Sequence, residues 1–180
     1  MCHLARTTRD WVRARWHLLP LSPFPLPFPL QGAYATFLGL ALKRSSKDGK
    51  GLWRAVAVGD SCLFHFRGGR LLGTFPLNKS QQFGNQPALL GSRADAAGKL
   101  PEMQKQMRGH WEPGDRFLLM THALAQWFLR QGETEKKPWE AIAKLLALPG
   151  KESPFEAWIE ERRERDGMRN DDVTLMVVDL

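Results

Sequence analysis

The sequence predicts an α+β fold built from packed layers. Short β-patterned segments separated by turn signals follow one another from Gly32 onward. Amphipathic helical segments come next, over residues 123–165, and a last β-patterned segment covers residues 172–180. Strands, then helices, then a final strand favour layered α+β packing over a doubly wound βαβ arrangement. With 43% hydrophobic and 25% charged residues in a chain of 180, the composition is that of one globular domain.

The β-patterned segments predict a β-meander. They are residues 33–42, 53–58, 62–66 and 70–75. Turn sequences separate them, with Gly59-Asp60-Ser61 after the second and Gly68-Gly69 after the third. The next stretch, residues 78–114, has weak periodicity, and we expect it to cross the domain surface as a connection. A buried strand over residues 116–120 follows, and the terminal strand is expected to return to the meander's sheet.

Three helices are predicted from apolar spacing and from end signals. The first covers residues 123–130 and has one apolar side. Pro138 begins the second, and Ser153-Pro154 begins the third. Four tryptophans lie at core spacing and are predicted to pack rather than to stack on a ligand: Trp53, Trp127, Trp139 and Trp158.

The basic residues are concentrated in the first part of the chain. The sequence has 26 Lys and Arg against 19 Asp and Glu, a net charge of +7. Residues 1–50 contribute +6 of this surplus, and residues 51–180 contribute +1. A nucleic-acid-binding domain usually spreads its basic side chains over a whole face. The distribution therefore predicts no nucleic-acid partner.

Residues 1–31 are predicted to form a region separate from the domain of residues 32–180. Residues 4–19 have the pattern of a basic helix that carries Trp11 and Trp16, and residues 20–31 that of a proline-rich extended linker. We expect the helix to dock on the layered domain. Contact with anionic lipid or nucleic acid is the weaker alternative for its arginines and tryptophans.

The cysteines and the longest apolar stretch predict a cytoplasmic protein. Cys2 and Cys62 are far apart and lack metal-ligand spacing, which indicates neither a zinc ribbon nor a disulfide scaffold. Prolines interrupt residues 18–30 repeatedly, whereas a membrane-spanning helix needs about 20 apolar residues without such breaks. The same prolines argue against a signal peptide. The sequence thus predicts no transmembrane segment.

Several short segments, in order and spacing, resemble the metal-dependent protein phosphatases of type 2C, in their shorter bacterial-style form. The segments are Gly-Ala-Tyr-Ala-Thr-Phe-Leu-Gly-Leu at 32–40, Val-Ala-Val-Gly-Asp-Ser at 56–61, Phe-Leu-Leu-Met-Thr-His-Ala-Leu at 117–124 and Arg-Asn-Asp-Asp-Val-Thr at 169–174. Each motif alone is short and unspecific. Together they cover the domain of residues 32–180 in the family's order.

This resemblance implies a fold, an activity and a set of metal ligands. The family's fold is a four-layer αββα sandwich, here incomplete at its N-terminal side. Its members hydrolyse phosphoserine and phosphothreonine proteins with a hydroxide held by two Mn²⁺ or Mg²⁺ ions, and no protein side chain acts as a covalent catalyst. By position, Asp60, Asp171 and His122 match metal-binding residues of the family.

The chain departs from the family's pattern in ways that predict weak or absent turnover. The family's phosphate-contacting arginine, Glu-Asp pair and Asp-Gly turn do not occur before Gly32. Asp48-Gly49 is the first Asp-Gly, and its place predicts a hairpin turn. His122 stands where the family has an aspartate, which removes a negative charge and a hard oxygen ligand. We therefore expect an N-terminally truncated or degenerate phosphatase; the alternative is a non-catalytic pseudophosphatase that binds phosphoproteins as a scaffold.

Each predicted metal ligand also has a structural interpretation. Asp60 suits a turn, where its carboxylate caps backbone N–H groups. His122 is more simply a strand-end histidine bonded to the backbone. Asp171 is the strongest of the three, because adjacent acids at the start of a buried strand need compensation, with Asp172 as a solvated neighbour.

Overall fold

The structure is a computed structural model that describes residues 33–45, 49–92, 100–147 and 153–180. The predicted helix and linker of residues 1–31 lie outside the described residues, as does Asp48. The strands, in chain order, are β1 Tyr34–Ala35, β2 Phe37–Arg44, β3 Gly51–Val58, β4 Cys62–Arg67, β5 Arg70–Phe75, β6 Leu90–Gly91, β7 Lys105–Trp111, β8 Asp115–Met120 and β9 Leu175–Asp179. The α-helices are α1 Leu100–Met103, α2 His122–Glu133, α3 Pro138–Ala147 and α4 Ser153–Asp166, and a short 3₁₀ helix spans Ser80–Gln82.

The strands form two main antiparallel sheets rather than one meander. One sheet has the order β2-β3-β7 and the other β5-β4-β8-β9, while β1 and β6 form a separate short pair. The meander prediction was wrong at β3 and β4, which follow each other in the chain but belong to different sheets. Gly59, with φ of +100°, allows the sharp connection because glycine has no Cβ to oppose this conformation. β9 joins the sheet of β4 and β5 by pairing with β8.

The stretch predicted to be an irregular connection contains a strand. β7 pairs along most of its length with β3, so that Trp111 faces Gly51 and Lys105 faces Ala57. The prediction failed because β7 is a mostly exposed edge strand, with a glycine and several polar residues. Such a strand lacks the clean apolar alternation that identifies one with a covered face.

Other boundaries shift by a few residues. Residues 33–42, expected as one strand, divide into β1 and β2. The first helix extends over His122–Glu133, because the helix begins directly after Thr121 at the end of β8. The terminal strand begins at Leu175 instead of residue 172. The strand of residues 70–75 and the start of the second helix at Pro138 are confirmed.

The two main sheets pack face to face around an aromatic core. Trp53 and Trp111 from the three-stranded sheet meet Phe117 from the four-stranded sheet. Cross-strand pairing places Trp53 opposite Gly109 and Trp111 opposite Gly51. A Cβ at Gly109 would lie 2.7 Å from Trp53 Nε1, closer than packed atoms approach, so each indole ring needs a glycine beneath it.

A second core lies between the four-stranded sheet and the helices. Phe64 and Leu118 from the sheet pack in one cluster with Leu124, Phe128 and Ile142 from the helices. Trp127 is buried in this cluster, and Trp139 and Trp158 pack against it, as expected. The described residues thus form an α+β fold with two facing sheets and one helical layer, consistent with the αββα arrangement.

In the described ranges, no helix is both long and apolar enough to span a bilayer.

Candidate functional site

The strand register brings the predicted site segments to one end of the four-stranded sheet. Cys62, the first residue of β4, pairs with Met120, the last residue of β8. Met120 also pairs with Leu175, the first residue of β9. The turn that carries Asp60, the helix start at His122 and the loop before β9 therefore meet at this end.

A chain of polar contacts joins Asp60, His122 and Arg169. The Nδ1 atom of His122 lies 2.6 Å from Oδ2 of Asp60, and Nη1 of Arg169 lies 3.1 Å from Nε2 of His122. Asp60 is buried, His122 is half-buried and Arg169 is exposed. Phe83 packs against the imidazole ring, and Asn85 Oδ1 accepts a 3.4 Å contact from Arg169 Nη1. The cluster therefore runs from the sheet end out to solvent.

These contacts fix the proton on the His122 ring. A guanidinium nitrogen only donates hydrogen bonds, so Nε2 of His122 must accept from Arg169. The remaining ring proton is on Nδ1 and is donated to the Asp60 carboxylate. His122 is thus neutral in this arrangement and separates an anion from a cation. The expectation that His122 is hydrogen-bonded to the backbone was wrong, because its Nδ1 atom bonds to the buried Asp60 carboxylate instead.

Asp171 lies in the exposed loop before β9. Its Oδ1 accepts a hydrogen bond from the Asp172 backbone N–H at 2.9 Å, and its backbone carbonyl accepts one from Arg163. The expectation that the two acids begin a buried strand was wrong, since β9 begins later and both are exposed. In the part of the chain that the structure describes, no hydrogen bond joins the Asp171 carboxylate to Asp60 or His122. Its role as a metal ligand stays a prediction.

Thr121 attaches the loop before β9 to the start of α2. Its hydroxyl donates to the Asp172 carbonyl at 3.1 Å and accepts from the Thr174 backbone N–H at 2.9 Å. A backbone bond from the Thr121 N–H to the Thr174 carbonyl adds a third connection. These bonds hold the loop that carries Arg169 and Asp171 close to His122.

Cys62 lies directly behind the site and is chemically quiet. Its side chain is fully buried, and its Sγ donates to the Asp60 carbonyl at 3.3 Å. Burial raises the pKa of the Cys62 thiol to about 12, so the reactive thiolate is scarce near neutral pH. The thiol therefore packs as a small apolar group.

A second cluster of the same residue types lies at the other end of the sandwich. Asp115 Oδ2 accepts a 2.8 Å hydrogen bond from His65 Nε2, and Arg67 forms two bonds to the same carboxylate. His65 stacks on Phe117 in the core between the sheets. Burial acts to raise the pKa of Asp115, but the bonds from Arg67, His65 and the Glu112 backbone outweigh it and lower the pKa to about 2.

A groove of about 340 Å³ opens at this second end, away from Asp60. It runs between the four-stranded sheet and α3, and its floor includes Phe66, Leu118 and Trp139. The charged pair at its mouth, Arg116 and Asp179, forms an exposed ion pair. The groove is apart from all three predicted site residues.

The residues at the Asp60 end do not fit the two-metal centre that the family resemblance implies. Within the described ranges, no three His, Cys, Asp or Glu side chains are grouped closely enough to hold a metal ion. One oxygen of Asp60 already accepts the His122 proton. The Arg169 guanidinium next to the imidazole repels a divalent cation, and Mg²⁺ in particular requires several oxygen ligands.

Comparisons with known proteins find similar solved structures only. No family model and no curated protein matches the chain. One similar structure is that of the photosystem II phosphatase PBCP. The match covers 74% of this chain and 46% of the PBCP chain, with 17% identity and a TM-score of 0.45. Another is the manganese-presoaked phosphatase domain of the cell fate determinant SpoIIE from Bacillus subtilis. The match covers 79% of this chain and 56% of the SpoIIE chain, with 16% identity and a TM-score of 0.38.

A third similar structure is PppA, a regulatory component of T6SS in Pseudomonas aeruginosa. The match covers 71% of this chain and 52% of the PppA chain, with 16% identity and a TM-score of 0.35. The chain thus spans about half the length of the structures it matches. Two of the three are phosphatases by description, the activity that the motif resemblance implies. At these TM-scores the likeness assigns neither an activity nor a site to this chain.

Arg169 is the site residue that sequence reasoning missed. It lies within the motif at 169–174, but that motif directed attention to Asp171. Its contact with His122 depends on the path of the loop before β9, which the Thr121 bonds determine. The sequence signal for Arg169 was its place two positions before Asp171, the expected metal ligand, because a fixed cation at a metal site competes with the metal.

Proposed function

We propose that this chain is a phosphatase-like domain that binds phosphoserine or phosphothreonine proteins without hydrolysing them. The motif resemblance suggests the kind of partner, and the contacts at the Asp60 end argue against turnover. As part of this proposal the protein acts in the cytoplasm, where its low cysteine content predicts it to be.

The observation that carries the proposal is the position of His122 between Asp60 and Arg169. Both ring nitrogens are engaged, one by the carboxylate and one by the guanidinium. A hydroxide-generating metal centre needs oxygen ligands with net negative charge. Here a neutral ring and a cation stand beside the buried Asp60 carboxylate, which argues against a hydrolytic step at this site.

Arg169 is suited to recognise a phosphate group instead. It is exposed, and its Nη1 contact with His122 and Asn85 holds the guanidinium at the mouth of the site. A planar guanidinium donates two parallel hydrogen bonds to a phosphate, a geometry that lysine does not reproduce. The neutral form of His122 adds no charge, so Arg169 is the cation that selects the anion.

The test compares hydrolysis and binding in the full 180-residue chain. With Mn²⁺ and a phosphoserine peptide, we expect phosphate release no faster than in the protein-free control. By fluorescence anisotropy, the phosphopeptide should bind about tenfold or more tightly than its unphosphorylated form. Arg169→Gln should remove this preference. Arg165→Gln, at an exposed position on α4, is the matched control and should keep it.

Two results would contradict the proposal. Robust Mn²⁺-dependent turnover that Asp171→Ala abolishes would establish an active metal-dependent enzyme. Equal binding of the phosphorylated and unphosphorylated peptides would exclude phosphate recognition by Arg169.

A further inference from the structure

The outward face of the three-stranded sheet carries basic and apolar side chains together. Antiparallel pairing sets which residues share this face, because side chains alternate along each strand. We name it the basic outer face and define it by six residues: Phe37, Lys43, Leu52, Arg54, Arg108 and His110. The opposite face of the same strands holds the tryptophan core, and the Asp60 cluster lies at the end of the other sheet. The basic outer face is therefore distinct from the proposed phosphate site.

The centre of this face holds two like charges directly opposite each other. Arg54 of β3 pairs in register with Arg108 of β7, and both are exposed. Like charges at directly opposed positions destabilise a sheet. Arg54 donates to the neutral Gln106 side chain, which gives it a hydrogen-bond acceptor but no compensating charge. In the three described strands, no Asp or Glu occupies an outward position paired with these arginines.

Large apolar side chains flank the two arginines. Leu52 is 50% exposed and Phe37 is 42% exposed, although both belong to a well-paired sheet. A concavity of about 380 Å³ opens beside Arg54, Arg108 and Met107 at the β7 side of the sheet. A face that combines exposed apolar groups with uncompensated cations is typical of an interaction surface.

We infer that the basic outer face binds an acidic protein segment that also carries apolar side chains. Carboxylates of such a segment would compensate Arg54 and Arg108, and its apolar groups would cover Leu52 and Phe37. Nucleic acid fits less well, because a phosphate backbone would leave the exposed apolar side chains of Leu52 and Phe37 uncovered. The N-terminal residues of the chain itself are a poor match in charge, because residues 1–31 carry four arginines and one aspartate, a net +3.

The test uses the full chain and a fluorescein-labelled peptide in which glutamate alternates with leucine. We expect saturable binding that weakens as NaCl rises, because salt screens the ion pairs. The double variant R54Q/R108Q should bind about tenfold or more weakly. The same variant should melt no lower than the wild type, because it removes a like-charge pair, so loss of binding is not loss of folding.

Matched controls separate this surface from net charge and from the Asp60 site. R70Q/K144Q removes two exposed charges elsewhere and should leave peptide binding unchanged. Arg169→Gln should also leave it unchanged, which keeps a failure of the phosphate proposal distinguishable from a failure of this one. Replacing leucine by serine in the peptide should weaken binding, as should Leu52→Ser in the protein.

Several outcomes would overturn the inference. Equal loss of binding in R54Q/R108Q and R70Q/K144Q would show a net-charge effect only. Binding of a lysine-for-glutamate peptide as tightly as the glutamate peptide would exclude charge recognition. Preferential binding of single-stranded RNA, or of vesicles of phosphatidylcholine and phosphatidylserine, would assign the face to another class of partner. No binding of the glutamate peptide by the full chain would also refute it.

Discussion

The two ends of the sandwich carry the same three residue types in different orders. At one end Asp115 is central and accepts hydrogen bonds from both His65 and Arg67. At the other end His122 is central, between Asp60 and Arg169. With the carboxylate in the middle, the anion and the cation touch, and both the carboxylate and the imidazole are buried. With the neutral imidazole in the middle, the two charges are held apart and the cation faces solvent.

This difference separates a structural role from the proposed binding role. A buried carboxylate is tolerated when several donors satisfy it, as they do at Asp115. Arg169 lacks such direct compensation by Asp60 because the imidazole lies between them. Its charge is therefore available to an incoming anion, whereas that of Arg67 is already used.

The largest expected effect comes from removing the central carboxylate of the buried cluster. Asp115→Ala leaves His65 and Arg67 without their common acceptor, so we expect a loss of about 3–5 kcal/mol in the free energy of unfolding. Urea titration followed by tryptophan fluorescence measures it. Asp179→Ala, which breaks the exposed pair with Arg116, is the control and should cost less than about 1 kcal/mol. Similar costs for the two variants would contradict a structural role for the buried cluster.

The second effect is a loss of stability in acid that depends on Asp115. Its pKa is about 2 in the folded protein against an ordinary value of 3.8, so the folded state holds the carboxylate in its ionised form. The resulting stabilisation, about 2 kcal/mol, is complete above the unfolded pKa and is lost as pH falls from 3.8 toward 2. Unfolding free energies of wild type and Asp115→Asn, measured across this pH range, should converge as pH falls. A constant difference between them would refute the assignment.

The smallest of these effects concerns the cluster of Asp60, His122 and Arg169. Asp60→Ala removes the acceptor of the His122 Nδ1 proton, but the half-buried ring has access to water, so we expect a cost of about 1 kcal/mol. A double-mutant cycle with His122→Ala, measured by urea titration, gives the coupling between the two side chains. A coupling as large as the Asp115→Ala effect would mean that both ends of the sandwich serve stability.

The sequence predicted the elements that carry a clear local signal, such as burial on both faces or a residue that marks a helix start. β4 is buried on both faces, so its continuous apolar pattern identified it, and Pro138 marked the start of α3. β7 was missed because its outward residues are polar and its inward Gly109 carries no side chain. The glycine is there for Trp53, a partner more than fifty positions earlier in the chain, and no local pattern records that contact.

The candidate site divides in the same way. The family resemblance implied that Asp60 and His122 belong to one set of metal ligands, and the structure brings these two side chains together as a hydrogen-bonded pair, at 2.6 Å. The proximity of Arg169 could not be predicted, because it depends on the hydrogen bonds between Thr121 and the loop before β9. The assignment of the His122 ring proton to Nδ1 depends on the same loop, because the loop brings Arg169 to Nε2. Local motifs thus indicated which segments meet at this end of the sheet, while long-range contacts determined the charges there.

The two tryptophan–glycine crossings between β3 and β7 also determine what the protein shows to its surroundings. A slip of one residue in this pairing would reverse the faces of one strand, so that either Trp53 of β3 or Trp111 of β7 would turn outward and the arginine of that strand would turn toward the core. Because only glycine fits under each indole ring, the slipped pairing cannot form without losing both contacts. The buried tryptophan–glycine pairs therefore set the register that places Arg54 opposite Arg108. Changes to the surface residues can alter what this face binds, but its layout can change only if the buried tryptophans change first.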